Sequence, residues 1–301
     1  MRFSRHVRSG RRCLILGLIL GLMTAGTSGC SSMILKMQAD FMAPMISEMV
    51  DQVTATENIR VMREGIAANT LLISSLVEIS PNNLTYLEQA SFAYCAYGMM
   101  VEEEDPEFAA ELYQTGKKYG LRGLNTNRDF RKSRAQGKPI PKLTGVFDED
   151  YAPLVCWTAM NNGLWILMNM DDSAALVELA DAIALAERTI ELDEDYFYGV
   201  PKAFLAAYYA FVPDFYGTGG GPDASRRMFE KARAVTDGRL LLVDVFEARF
   251  LKTQLKDREG FVRQLEAVLA AEPDILEDGR LLTEMAKFKA RYYLAHIDEF
   301  F

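Results

Sequence analysis

Ala109-Ala110-Glu111-Leu112-Tyr113-Gln114-Thr115-Gly116 and, far downstream, Ser225-Arg226-Arg227-Met228-Phe229-Glu230-Lys231-Ala232 share one rhythm. A small residue is followed four positions later by a large aromatic one, and three positions after that by another small one. On a helix these three positions lie on one face. The small residues admit a neighbouring helix and the aromatic ring fills the gap between the backbones, which is the packing logic of the second helix in a tetratricopeptide hairpin. A companion pattern, Ile73, Leu76 and Pro81, recurs at the same spacing as Leu265, Val268 and Pro273. There the proline stops one helix before the next hairpin begins.

Working outward, apolar residues fall at three- and four-residue spacing over Asn58–Ile79, Leu84–Val101, Pro106–Asn125, Pro153–Met170, Asp172–Leu192 and Gly260–Ala271. Proline, glycine and acidic clusters separate these segments, and no alternating β-branched run appears. The sequence predicts an all-α fold, a degenerate tetratricopeptide-like helical-hairpin solenoid. Residues Asn125–Tyr151, with Gly137, Pro139, Pro141 and Gly145, read as a long connection, either a solvated excursion or a functional loop.

The N-terminus carries a second message. Five arginines and no acidic residue precede or open an apolar run from Cys13 to Met23, too short to span a bilayer, and the segment closes on Thr27-Ser28-Gly29-Cys30. This is the layout of a secretion signal. The Gly29-Cys30 pair resembles a lipobox, with Thr27 where leucine is usual, so Cys30 is the expected lipidation site and first mature residue. The reading divides the chain into a signal peptide (1–29), a lipid-tethered segment with a first helix (30–57) and a helical domain (58–301). Met33, Met37, Met42, Met45 and Met49 punctuate that first helix, which is expected to pack on the body or to meet a partner surface.

Loss of the signal takes five arginines away and lowers the net charge from −9 to −14. An acidic exported protein repels phosphates, so nucleic acid is not an expected partner. Cys95 and Cys156 remain in apolar helical runs, where they read as buried hydrophobes or as a disulfide pair.

Catalytic chemistry finds little footing. His6 leaves with the signal and His296 sits near the end of the last helix, where a histidine meets the final carbonyls. No HExxH, GxSxG or paired-cysteine metal pattern occurs, so no catalytic residue, metal or cofactor is expected. Gly217–Gly221 lacks a preceding strand and meets Pro222 where a dinucleotide fingerprint needs glycine, so it reads as a turn into a helix. The acidic clusters, Glu102–Asp105 among them, read as solvated turns. The remaining candidates are a stripe of Trp157, Asn161 and Trp165 with Asn162 beside it, and the aromatic crowd around Tyr208 and Tyr209. A packed core and an apolar ligand cavity with orienting amides both fit these residues.

Several stretches resemble the TatT component family, tetratricopeptide-containing lipoproteins associated with TRAP transporters. They are Asn58–Leu72 with Ser80-Pro81-Asn82-Asn83, Phe92–Tyr97, Ala109–Tyr113, Trp157–Trp165, Tyr216–Ala232, Glu266–Pro273 and Lys289–Phe300. The resemblance covers nearly the whole mature chain. It implies a periplasmic lipoprotein, lipid-anchored with the outer membrane slightly favoured, that assembles as a homotrimer around a pore. It further implies work beside a TRAP solute-binding (P) subunit on a hydrophobic or organic-acid ligand. A helical-repeat interaction scaffold at the membrane surface is the alternative.

Overall fold

The protein is described by a computed structural model over residues 33–49, 58–212 and 219–301. Cys30 and Gly217, the first glycine of the glycine run, therefore lie outside the described residues. Every described element is helical, and the fold is all-α. A first helix, α1 (33–49), leads to α2 (Ile59–Ile79), α3 (Leu84–Val101) and α4 (Pro106–Leu124). Next come α5 (Arg128–Ala135), α6 (Ala152–Met168), α7 (Ser173–Val177), α8 (Leu179–Leu192) and α9 (Tyr196–Phe211). The chain finishes with α10 (Pro222–Ala234), α11 (Leu241–Phe246), a π-helical segment (Glu247–Lys252), α12 (Arg258–Ala270) and α13 (Arg280–Ala295).

The boundaries follow from capping chemistry. Asn58, Asn83, Asp105, Asn127, Asp172 and Asp257 each accept a backbone N–H from the first turn that follows, replacing partners the helix cannot supply. Pro106 and Pro222 take the first positions of α4 and α10, where their missing N–H costs nothing. Gly219 and Gly221 adopt positive φ before α10, as a turn into that helix requires.

Consecutive helices stack: α3 on α4, α4 on α6, α6 on α8, α8 on α9 and α9 on α10. The small-large-small faces sit inside this stack. Ala109 and Tyr113 are fully buried on α4, and Ser225, Phe229 and Ala232 are fully buried on α10, where the Ser225 hydroxyl donates to the Ala206 carbonyl of α9. Helices approach so closely that glycine is required at Gly116, where an added Cβ would overlap the Asn161 amide. Asn161 is itself fully buried and tied to Ser91 and Trp157. Gly116→Ala is expected to destabilise the fold by about 1–3 kcal/mol through overpacking, read as a lower urea midpoint at unchanged slope.

Two segments depart from the sequence reading. The long connection is not a bare excursion: it contains α5 and three short 3-10 turns. Phe130, Ile140, Leu143 and Phe147 bury themselves, with the Phe130 and Phe147 rings 5.0 Å apart. The helix expected over Asp172–Leu192 breaks at Glu178 into α7 and α8. There Asn162 Nδ2 donates to the Glu178 carbonyl at 3.2 Å, and Lys117 Nζ pairs with the Glu178 carboxylate at 2.9 Å.

The chain also closes on itself. Helix α13 packs against α2, the Arg63 guanidinium of α2 lies 5.0 Å from the Phe288 ring, and Lys289 reaches the carboxylates of Glu102 and Glu103 at the end of α3. The closure leaves a hollow inside the coil of helices.

Candidate functional site

That hollow is an apolar cavity of about 170 Å³. Helices α2, α3, α6, α9, α11 and α13 all contribute, with Ile46 and Met49 of α1 at one side. Its wall is built from side chains such as Met62, Ile66, Phe92, Trp157, Leu242 and Met285, and among the described residues Asn69 is the one lining side chain with an amide. A cavity of this size with such a lining suits an apolar guest. Cys95 lines it as a free thiol, and burial pushes that thiol's pKa far up, so it presents an uncharged surface. Cys156 is likewise free and buried.

A second apolar cavity of about 270 Å³ lies between α6, α7, α9, α11 and the π-helical segment. Met160 and Phe246 belong to the walls of both, so they form the partition between the two chambers. Phe246 is the last residue before the π-helical turn. That turn is held by Arg233, which pairs with Asp244 and with Glu247, while Gln264 Nε2 donates to the same two carboxylates.

The backbone is strained at one point of the wall. Phe197, Tyr198 and Gly199 all adopt positive φ (43°, 60° and 81°) at the start of α9. The left-handed region costs a non-glycine residue roughly 1–2 kcal/mol, so surrounding contacts must enforce it. Here the strain turns Phe197 inward, where its ring meets Trp157 at 4.7 Å and Phe92 at 5.6 Å in edge-on geometry. The three rings cap one end of the cavity.

Of the residues singled out by sequence, Trp157 lines the first chamber and Tyr208 the second. The other four are engaged elsewhere. Asn161 Nδ2 donates to the Ser91 and Trp157 carbonyls at 2.9 and 2.8 Å, bracing α6 against α3. Asn162 pins the Glu178 break, Trp165 lies under the Lys117 ammonium at 3.9 Å, and the Tyr209 carbonyl accepts the Gly221 N–H. Asn161 Oδ1 and Asn162 Oδ1 are buried without a protein partner. His296 caps α13 with its ring stacked 4.0 Å from Tyr292 and Nδ1 against the Tyr292 carbonyl. Most of the cavity wall escaped the sequence reading. Apart from Trp157, its residues entered there only within runs quoted for packing or resemblance, such as Asn58–Leu72 and Phe92–Tyr97, and not for chemistry.

The reading of Glu102–Asp105 as a solvated turn is corrected for its first two members. Glu102 and Glu103 point inward, and their carboxylates clamp the Lys289 ammonium, whose side chain is 0% exposed. Tyr113 OH donates to Glu102 and Tyr293 OH donates to Glu103 at 3.0 Å. Burial raises the Glu103 pKa above its ordinary 4.5, against the pull of Lys289. One Glu103 oxygen, Oε2, has no protein partner.

Comparison with known proteins gives this helical cage its place. The description "TRAP transporter T-component" matches residues 56–301, all but the N-terminal tract. The chain belongs to the TRAP transporter T-component family. An uncharacterised protein of Treponema pallidum (strain Nichols) is 28% identical over 209 residues. That match takes in 66% of this chain and 64% of the treponemal protein's length. The family's description names a component of TRAP transporters, and this chain spans a little under two thirds of the treponemal protein's length. No described helix is long and apolar enough to cross a membrane.

Proposed function

We propose that this T-component is an exported lipoprotein. In this reading residues 1–29 are cleaved, Cys30 is acylated, and the body stands at a membrane surface, the outer membrane slightly favoured, as a homotrimer. It receives an apolar ligand from the TRAP solute-binding subunit or passes one to it. The observation that supports the ligand half of this reading is the first chamber: an apolar cavity walled by six helices, to which the returning α13 contributes. A cavity with such walls has no role in a pure scaffold, whose groove would face outward.

The lining also chooses between ligand classes. An organic acid needs a cation or several donors, and among the described residues no lysine, arginine or histidine lines either chamber. A neutral apolar molecule fits. Neutral N-phenylnaphthylamine is therefore expected to bind at least about tenfold more tightly than its sulfonated analogue, measured by fluorescence titration. Equal affinities would return the organic acid to contention.

Native mass spectrometry of the chain, gently purified from a periplasm, tests the whole reading. A trimer carrying an apolar adduct, or one retaining a solute-binding protein, supports it. A bare monomer with neither favours the scaffold alternative.

A further inference from the structure

Helix α1 is amphipathic the wrong way round for a surface helix. Its small residues Ala39 and Ala43 face the body at 5% and 4% exposure. Its large apolar residues Ile34, Met37, Phe41 and Met45 recur at i, i+3, i+7 and i+11 on the opposite face, with Phe41 at 87% exposure. A helix that only completed the core would turn these side chains inward. Of the charged residues of α1, Lys36 and Asp40 lie off the stripe, and the exposed Glu48 falls on it only at its C-terminal end. Asp40 is turned towards α2 and α3, accepting from Asn83 Nδ2 at 2.9 Å and from the Ser80 hydroxyl. These bonds hold its pKa below the ordinary carboxylate range. Something apolar must cover this face, and the chain that precedes it says what.

We infer that α1 lies flat in the headgroup layer of the membrane that holds the protein, with Ile34, Met37, Phe41 and Met45 as its lipid-facing stripe. The inference rests on the acylation of Cys30 in the function proposed above. Only Ser31 and Ser32 separate Cys30 from α1, so three residue steps, spanning at most about 10 Å, join the acylated sulfur's residue to the helix. Acyl chains seated in the leaflet therefore keep the start of α1 within the depth at which interfacial helices bury their apolar faces. An apolar helix lying beside those acyl chains adds its own buried apolar area to the anchor. A protein partner or a second copy could also cover an apolar stripe, but neither would require the stripe to start beside the acyl chains.

The placement has a consequence for the ligand. Met49 of α1 and Leu72 of α2 line the first chamber while remaining 56% and 57% exposed, which marks its mouth. Ile46 and Met49 bring the C-terminal end of α1 to that mouth. An apolar molecule could pass between leaflet and cavity along a continuous apolar surface.

The test uses the full chain, matured in a bacterial host and reconstituted into phosphatidylcholine–phosphatidylglycerol vesicles with and without brominated acyl chains. Phe41→Trp places an indole on the stripe without disturbing packing, and Val177→Trp, at a 79% exposed position on α7, is the control. The unsubstituted chain corrects for Trp157 and Trp165. The Phe41→Trp indole is expected to lose about half its emission or more in brominated vesicles, and the Val177→Trp indole almost none. An acylated chain whose Phe41→Trp indole is not quenched overturns the inference and leaves the lipoprotein reading standing; so does equal quenching of both indoles. A chain found unacylated by intact mass overturns both.

Discussion

Lys289→Met is expected to destabilise the protein by about 3–5 kcal/mol at neutral pH, the cost of stranding buried charge after one partner is removed. Lys289 is wholly enclosed, and its ammonium is the cation that Glu102 and Glu103 face across the closure between α3 and α13. Methionine preserves the length of the stem and removes the charge. The pH dependence follows from Glu103. Its folded pKa already lies above the ordinary value because burial penalises the carboxylate, with Lys289 acting in the opposite direction. Without Lys289 it rises further. Between the ordinary and the raised value the folded state holds a proton that the unfolded state has released, so stability falls as pH increases through that window. The loss in Lys289→Met should thus shrink towards pH 5 and be largest near pH 8, compared as urea midpoints. A loss independent of pH would show that packing of the stem, not charge, is what the residue supplies.

The largest functional effect is expected from Ala96→Trp. Ala96 lines the first chamber from α3, and an indole there occupies space now empty. Because the space is a void, the substitution avoids most of the overpacking cost it would carry in a filled core. N-phenylnaphthylamine binding should weaken by at least about tenfold, while the thermal midpoint stays close to that of the parent chain. Ala207→Trp, on the second chamber's wall, provides the contrast. If only the α3 substitution blocks the probe, the first chamber is the site. If only the α9 substitution does, the site belongs on the other side of Met160 and Phe246.

The fold was legible because helical packing is written locally. Spacing of apolar residues, capping asparagines and the two small-large-small faces each depend on neighbours within a few turns, and these elements appear where the spacing puts them. Helix α5 was hidden because its eight residues carry three arginines and a lysine around one buried Phe130, which leaves little periodic signal. The inward turn of Glu102 and Glu103 was hidden for another reason: their partner lies 186 residues or more away along the chain. The site was legible only in outline. A cavity and a core call for the same residue types, and what separates them is missing volume, which no one-dimensional pattern records. Trp157 was found as part of a stripe; Phe197, on a backbone bent into left-handed φ, could not be.

The closure by α13 also sets an order of events. A stack of adjacent helices can form progressively as the chain emerges, since each hairpin needs only its neighbour. The first chamber cannot, because Leu281, Leu282 and Met285 of the last helix form part of its wall. Its ion-pair clasp joins Lys289 to Glu102 and Glu103, so the first chamber closes only when α13 folds back on the earlier helices. A chain lacking α13 is expected to keep the earlier helices yet lose N-phenylnaphthylamine binding, which makes occupancy of the chamber a reporter of its closure.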